Sequence, residues 1–185
     1  MQKINIDDIH IRTNIKPGDL GFIMFRLGDS YGKERNYNVT FEAYVGAGLS
    51  EFYENYNSNL DRVWICEYQN RTIGFLLAMH RPDNAVQLRY FYLERKFRGI
   101  GLGKKLLLLA IDFVNKEKYN SCYLLTSNDL HDAAILYKKV GFSLTEEYDS
   151  TRFGVLLKEQ RYDLTVGFQK YLQTFNATSE RDFCR

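Results

Sequence analysis

The stretch Arg98-Gly99-Ile100-Gly101-Leu102-Gly103-Lys104 sets three glycines and two cations directly ahead of an apolar, helix-patterned run. This arrangement suits the holding of a phosphate. The first N–H groups of a helix have no intrahelical partners and point out of its N-terminus. The helix dipole adds roughly half a positive charge there. Glycine lets an anion approach the backbone closely, and Arg98 and Lys104 add two positive charges. A pyrophosphate would use all of these together. Spacing excludes two common forms of such a turn. A Walker-type loop needs a glycine five residues before its Gly-Lys-Ser/Thr; that position holds Arg98, and Lys105 replaces the hydroxyl residue. The dinucleotide fingerprint G-x-G-x-x-G follows the first strand of a parallel sheet. Here Gly103 comes one residue too early, and the turn follows a hairpin meander.

Tyr137 is the second residue with usable chemistry. A phenol has a pKa of ~10, so a tyrosine is protonated near neutral pH. Taken alone, a tyrosine in a helix is more often a packing residue.

Longer segments give both features a context. Arg98, Gly101 and Gly103 match R-x-x-G-x-G, and Gln87 to Leu93 precede that signature as a strand-like run. Ala133, Leu136, Tyr137, Gly141 and Phe142 match A-x-x-L-Y-x-x-x-G-F. In these segments the chain resembles the GNAT superfamily of N-acyltransferases. From Arg12 to about Val166 it is also similar to a subgroup often fused behind MarR-type regulators, through Gly18-Asp19-Leu20-Gly21, Phe41-Glu42-Ala43, Phe153-Gly154, Glu159-Gln160 and Tyr162-Asp163-Leu164. No MarR-like winged helix is present in the sequence.

The resemblance implies acetyl-CoA as acyl donor, with its pyrophosphate on the backbone amides of Arg98, Gly99, Ile100, Gly101, Leu102, Gly103 and Lys104. It implies a preceding strand that splays from its neighbour, with Phe91 and Leu93 along the pantetheine arm and an oxyanion donor from the same strand. Tyr137 matches the tyrosine that protonates the departing thiolate. The implied reaction is direct attack by a primary amine of a small molecule or peptide in a ternary complex. A homodimer is suggested by the family alone. An acyl-CoA sensor without turnover, or an interaction module using an aromatic C-terminal helix, is the alternative.

Two positions depart from the family pattern. Leu130 stands where an asparagine is expected seven residues before Tyr137; Asn128 either replaces it beside the cofactor or caps the following helix. Asn84, Ala85, Val86 and Gln87 occupy the region where many relatives carry a glutamate base. A lysine-type amine has a pKa of ~10.4 and must lose a proton before attack. Gln87 could orient a water, while Glu67, Tyr90, Tyr92, Glu94 and a water chain stay open as routes for that proton. Arg26, Arg35 and the region from Tyr31 to Tyr37 are expected to border the acceptor site.

The elements that must position these residues follow from hydrophobic period. His10 to Asn14 reads as a strand; Leu20, Ile23, Met24 and Leu27 mark a helix face after Pro17-Gly18-Asp19. Gly28 to Tyr37 reads as a loop. Asn38 or Thr40 caps a second helix with Phe41, Val45, Leu49, Phe52, Tyr53 and Tyr56 on its apolar face. Strands are expected at 63–68, 72–79 and 86–93, the last alternating Leu88, Tyr90 and Tyr92 against Arg89, Phe91 and Leu93. A strong helix follows the glycine turn, then a strand at 121–127, a short helix capped by Asn128 or Asp129 and closed by Gly141, and strands at 142–148 and 156–166. The order β-α-α-β-β-β-α-β-α-β-β describes an α+β fold: helices on a mostly antiparallel sheet with one βαβ crossover. One domain spans 1–166. Residues 167–185 form a tail, with Phe168, Tyr171, Leu172 and Phe175 at helical spacing.

Composition bounds the function class. With 185 residues, 45% of them apolar, the chain can bury one core, and a net charge of +2 gives no field for nucleic acid. Cys66, Cys122 and Cys184 form neither a CxxC nor an even set, and His10, His80 and His131 lie far apart, so no disulfide framework or metal site is expected. Cys122 as an acyl-carrying nucleophile has no supporting motif. The polar start and the absence of a long apolar run point to the cytoplasm and away from a membrane. The acceptor motifs at Asn38 and Asn176 then read as chance matches.

Overall fold

The computed structural model describes residues 4–164. The tail from 167 onward lies outside them. After a 3₁₀ turn at Ile6–Asp8 come β1 (His10–Arg12), α1 (Asp19–Arg35), α2 (Val39–Glu54), β2 (Arg62–Tyr68), β3 (Arg71–Arg81) and β4 (Ala85–Leu93). A 3₁₀ turn at Arg95–Phe97 leads into α3 (Leu102–Lys116), β5 (Ser121–Ser127), α4 (His131–Lys139), β6 (Phe142–Ser150) and β7 (Leu157–Leu164). This is the expected element order.

The strands form one seven-stranded sheet, ordered β1-β2-β3-β4-β5-β7-β6. Every pairing is antiparallel except β4 with β5, which α3 connects as a crossover. Gln69 and Asn70 both take positive φ (50° and 60°) and turn β2 into β3, as two-residue hairpins require.

Both faces of the sheet are covered. On β3, Leu76 and Ala78 join the core built with Leu106, Leu107 and Ala110 of α3. Phe75, Leu77 and Met79 face the other way, into the core built with Ile23 and Leu27 of α1 and Val45, Leu49 and Phe52 of α2. Cys66 and Cys122 are buried core residues, as expected. The Asn38 side chain accepts from the Thr40 amide and so caps α2, also as expected.

Three local expectations are corrected. First, α1 does not stop before Gly28 but runs to Arg35, where Asn36 ends it in a left-handed conformation. Tertiary contacts hold this polar, glycine-bearing stretch helical. A Cβ on Gly28 would lie 2.5 Å from Cγ of Glu42, so its absence lets α1 approach α2. Buried Ser30 donates to the Tyr92 hydroxyl at 3.1 Å. Packing of this kind outweighs the weak helix propensity of Gly, Asp and Ser.

Second, β4 does not alternate to its end. Leu77 pairs with Arg89 and Phe75 with Tyr92, so one β3 residue opposes two on β4, and Tyr90 takes φ 56°. This is a bulge. It breaks the period-2 pattern, putting Leu88 and Phe91 on the α3 side and Tyr90 and Tyr92 on the α1–α2 side.

Third, neither Asn128 nor Asp129 caps α4. Leu130 holds that position without a side-chain cap bond. The Asn128 side chain accepts from the Lys158 amide at 2.8 Å, and the Asp129 carboxylate accepts from the Tyr37 hydroxyl at 3.0 Å. Both are drawn to neighbouring elements that the local sequence does not reveal.

Candidate active site

The β4–β5 pairing ends at Leu88 with Leu124, while β5 runs on to Ser127 paired with β7 on its other edge. The C-terminal half of β4 is therefore parted from β5, and two clefts open along the gap.

The larger cleft, about 610 Å³, lies over the glycine turn. Phe91, Leu93, Arg98, Gly99, Gly101, Gly103 and Lys104 line it, with Arg35, Asp132, Leu136 and Tyr137 across from them. Gly99 and Gly101 take φ 80° and 90°, a left-handed backbone that favours glycine. The first intrahelical bond of α3 runs from the Lys105 amide to the Gly101 carbonyl. The amides of Leu102 and Gly103 precede it in the first turn, where helical N–H groups have no intrahelical acceptor. The Ile100 and Leu102 side chains turn into the core, so these two residues can offer a ligand only backbone. Arg35, Arg98, Lys104 and Lys139 on the lining outnumber Glu34 and Asp132. Arg98 is oriented by its bonds to the Leu93 carbonyl (2.9 Å) and Glu34 (3.2 Å).

The smaller cleft, about 110 Å³, lies between α2 and the sheet. Tyr37, Phe41, Tyr44 and Phe153 form its aromatic wall, and Gln87, Arg89, Tyr90, Thr126, Ser127 and Glu159 contribute polar groups. Tyr37 is fixed by Ser127 (2.8 Å) and Asp129 (3.0 Å). Burial holds the Tyr90 phenol above its ordinary range.

Tyr31, Phe91, Leu130 and Tyr137 line both clefts. Tyr137 is 6% exposed and packs among Phe91, Phe142 and Tyr162. Burial raises its phenol well above the ordinary value, so it stays protonated. Among the described residues no hydrogen-bond partner meets its hydroxyl, and none is needed where that hydroxyl faces a cleft.

The other sequence-derived residues fall in different places. Tyr31 and Tyr37 border the smaller cleft, whereas Arg35 lines the larger one. Arg26 stands outside both, 2.7 Å from Glu94. Glu67 is held by Arg12 at 2.6 Å at the far end of the sheet. Asn128 lines neither cleft and stays paired with the Lys158 backbone. Burial pushes the Cys122 thiol above its ordinary range, which makes it a poor nucleophile. Among the described residues no group of His, Cys, Asp or Glu could hold a metal, and no helix is long and apolar enough to cross a membrane.

Two polar residues of the smaller cleft had no role in the sequence reading. Arg89 reads as sharing a strand face with Phe91 and Leu93, whereas the bulge puts Tyr90 and Tyr92 on its side instead. Glu159, on β7, reaches the cleft because β7 inserts between β5 and β6, a placement with no local signature.

Comparison with known proteins agrees with this architecture. The chain is 30% identical over 97 residues to an uncharacterized N-acetyltransferase, YjgM, of Escherichia coli K12, covering 51% of this chain and 58% of that protein. The chain spans about half the length of the curated relatives it matches. An acetyltransferase structure from Streptococcus agalactiae superposes with TM-score 0.70 at 16% identity, over 87% of this chain and 100% of that one. A GNAT family acetyltransferase from Elizabethkingia anophelis, solved with acetyl-CoA bound, superposes with TM-score 0.61 at 15% identity, over 86% of this chain and 99% of that one. At these identities the two structures speak for the fold. The family model for the Acetyltransferase (GNAT) family matches residues 22–142, and the chain belongs to that family.

Proposed function

We propose that the protein transfers an acetyl group from acetyl-CoA to a primary amine of a small molecule or peptide, by direct attack in a ternary complex. The observation that carries this reading is the meeting of two clefts at Tyr137, which lines both. The larger cleft fits the donor. It offers amides at a helix N-terminus, glycines that admit close approach and a positive lining. Acetyl-CoA supplies an activated thioester when bound there.

The residues then have defined tasks. Phe91 and Leu93 lie along the parted strand, where an extended arm can lie against free backbone. The smaller cleft orients the amine, and the two reactants gain from being held together. Among the described residues Glu159 is the one carboxylate lining that cleft, and it draws in an ammonium and takes its proton directly or through water. Bonds from Tyr148 (3.0 Å) and Ser150 (2.6 Å) fix its orientation. Nitrogen then bonds to the acyl carbon, the C–S bond breaks, the Tyr137 phenol gives its proton to the departing sulfur, and the proton shed by the new amide nitrogen returns through water to the phenolate.

Thiol release from acetyl-CoA across a panel of amino acids, polyamines, aminoglycosides and peptides tests this. Tyr137→Phe is expected to lower kcat by about 10²–10⁴-fold, with the Kd for acetyl-CoA little changed. Equal turnover in the two proteins removes Tyr137 as the acid. Binding without release for any amine turns the reading to a sensor.

A further inference from the structure

The smaller cleft is lined by Arg89, a largely enclosed cation whose ion pair is long. In regular register Arg89 opposes Leu77 on the α1–α2 side of the sheet, the β4 bulge adds Tyr90 to that side, and Gly48 of α2 faces both. A Cβ on Gly48 would sit 2.5 Å from Nη2 of Arg89 and closer still to the Tyr90 hydroxyl. Glycine inside a helix is unfavourable relative to alanine, and here it opens a seat for the guanidinium.

The Arg89 side chain is 8% exposed. Its guanidinium lies 4.8 Å from the Tyr90 ring centroid and 5.5 Å from that of Tyr44. Among the described residues its ionic partner is Glu51 at 3.6 Å, beyond hydrogen-bond length. Glu51 is 47% exposed and already takes Arg81 at 2.5 Å. Arg81 also donates to the Gln87 side chain, so that amide oxygen is engaged elsewhere. A guanidinium carries five N–H donors in a fork that matches a carboxylate, and a buried charge without good partners is costly.

From this geometry we infer that the acceptor is an amino-carboxylic acid and that Arg89 selects it by its carboxylate. This rests on the acetyl-transfer reading above. The charges around the site agree with it. Arg81 and Glu51 stand on the Arg89 side, while Glu159 faces the same cleft from β7 and suits the ammonium end. The small volume and the aromatic wall of Phe41, Tyr44 and Phe153 suit a compact molecule with an apolar portion. A polyamine or aminoglycoside would bring a second cation against Arg89.

The test compares kcat/KM for free amino acids (leucine, phenylalanine, glutamate) with the primary amides of the same compounds, in wild type, Arg89→Gln and Arg89→Lys. Wild type is expected to prefer the acid at least about tenfold, because a site built for a polar group rejects the analogue lacking it. Arg89→Gln should bring the acid-to-amide ratio close to one, mainly through KM for the acid. Arg89→Lys should restore part of it. A wild type that uses amides or polyamines as well as acids overturns the proposal, and so does an Arg89→Gln that lowers acid and amide equally. Thermal stabilisation by the N-acetyl forms of the same amino acids needs no turnover. It should be present in wild type and lost in Arg89→Gln, and its absence from wild type also overturns the proposal. If no amine consumes acetyl-CoA, the acetyl-transfer reading fails on its own, and stabilisation by the N-acetyl amino acids decides the role of Arg89 separately.

Discussion

The cleft over the glycine turn and the chamber beyond Tyr137 share four lining residues but are built by different means. The first draws Arg98, Gly99, Gly101, Gly103 and Lys104 from one short stretch, and much of what it offers is backbone. The second is made of side chains from α1, α2, β4, β5 and β7, with Phe153 from the β6–β7 connection. A site of backbone amides and glycines can recognise a group common to many reactions. A site of distant side chains can be altered one residue at a time, which on the proposed reading makes the chamber the place where the acceptor is chosen.

Substitutions can sharpen or break this division of labour. The largest effect is that of Tyr137→Phe, which should lower kcat while sparing both affinities; a loss of binding in either cleft would mean that the phenol also holds a reactant. Next comes Gly103→Leu. A Cβ at Gly103 already lies 3.1 Å from Leu136 and 3.3 Å from Phe91, so a larger side chain must enter the donor cleft. Acetyl-CoA binding, measured by calorimetry, should weaken roughly 10- to 100-fold, from the ~1–3 kcal/mol that overpacking costs. The KM for the acceptor should stay near its wild-type value. Gly48→Ala should do the reverse, raising the acceptor KM about tenfold by displacing Arg89 and Tyr90 while acetyl-CoA affinity holds. Loss of donor affinity in that variant would show that the two clefts are not separable.

The smallest effect is on stability at high pH. Burial raises the phenols of Tyr31 (to about 12), Tyr37, Tyr90 and Tyr137, all of them lining the acceptor chamber. Their folded values lie above an unfolded value of ~10. The unfolded chain therefore releases these protons first, and stability falls as pH rises past ~10 toward the folded values. Denaturant titrations at pH 8, 10 and 11 should give a decline beginning near ~10, shallower in Tyr137→Phe. A flat profile would mean that these phenols are less buried than the structure places them.

Much of the fold was legible because the core follows simple periods. The α3 stripe of Leu106, Leu107, Ala110, Ile111 and Val114 is buried, and the β2–β3 hairpin turns at Gln69 and Asn70. Local reading failed where a distant partner decided the conformation. The second half of α1 looks like a loop until Glu42, Tyr92 and Phe41 pack against it. Asn128 looks like a helix cap until the Lys158 backbone claims it.

The sequence by itself determined the element order, the glycine turn with its cations, and the tyrosine of α4, because each depends on neighbours within a few residues. Tertiary structure alone decided the bulge that brings Tyr90 beside Arg89 and Gly48, the insertion of β7 that brings in Glu159, and the join of the two clefts at Tyr137. Register and strand order are settled by packing across the whole sheet.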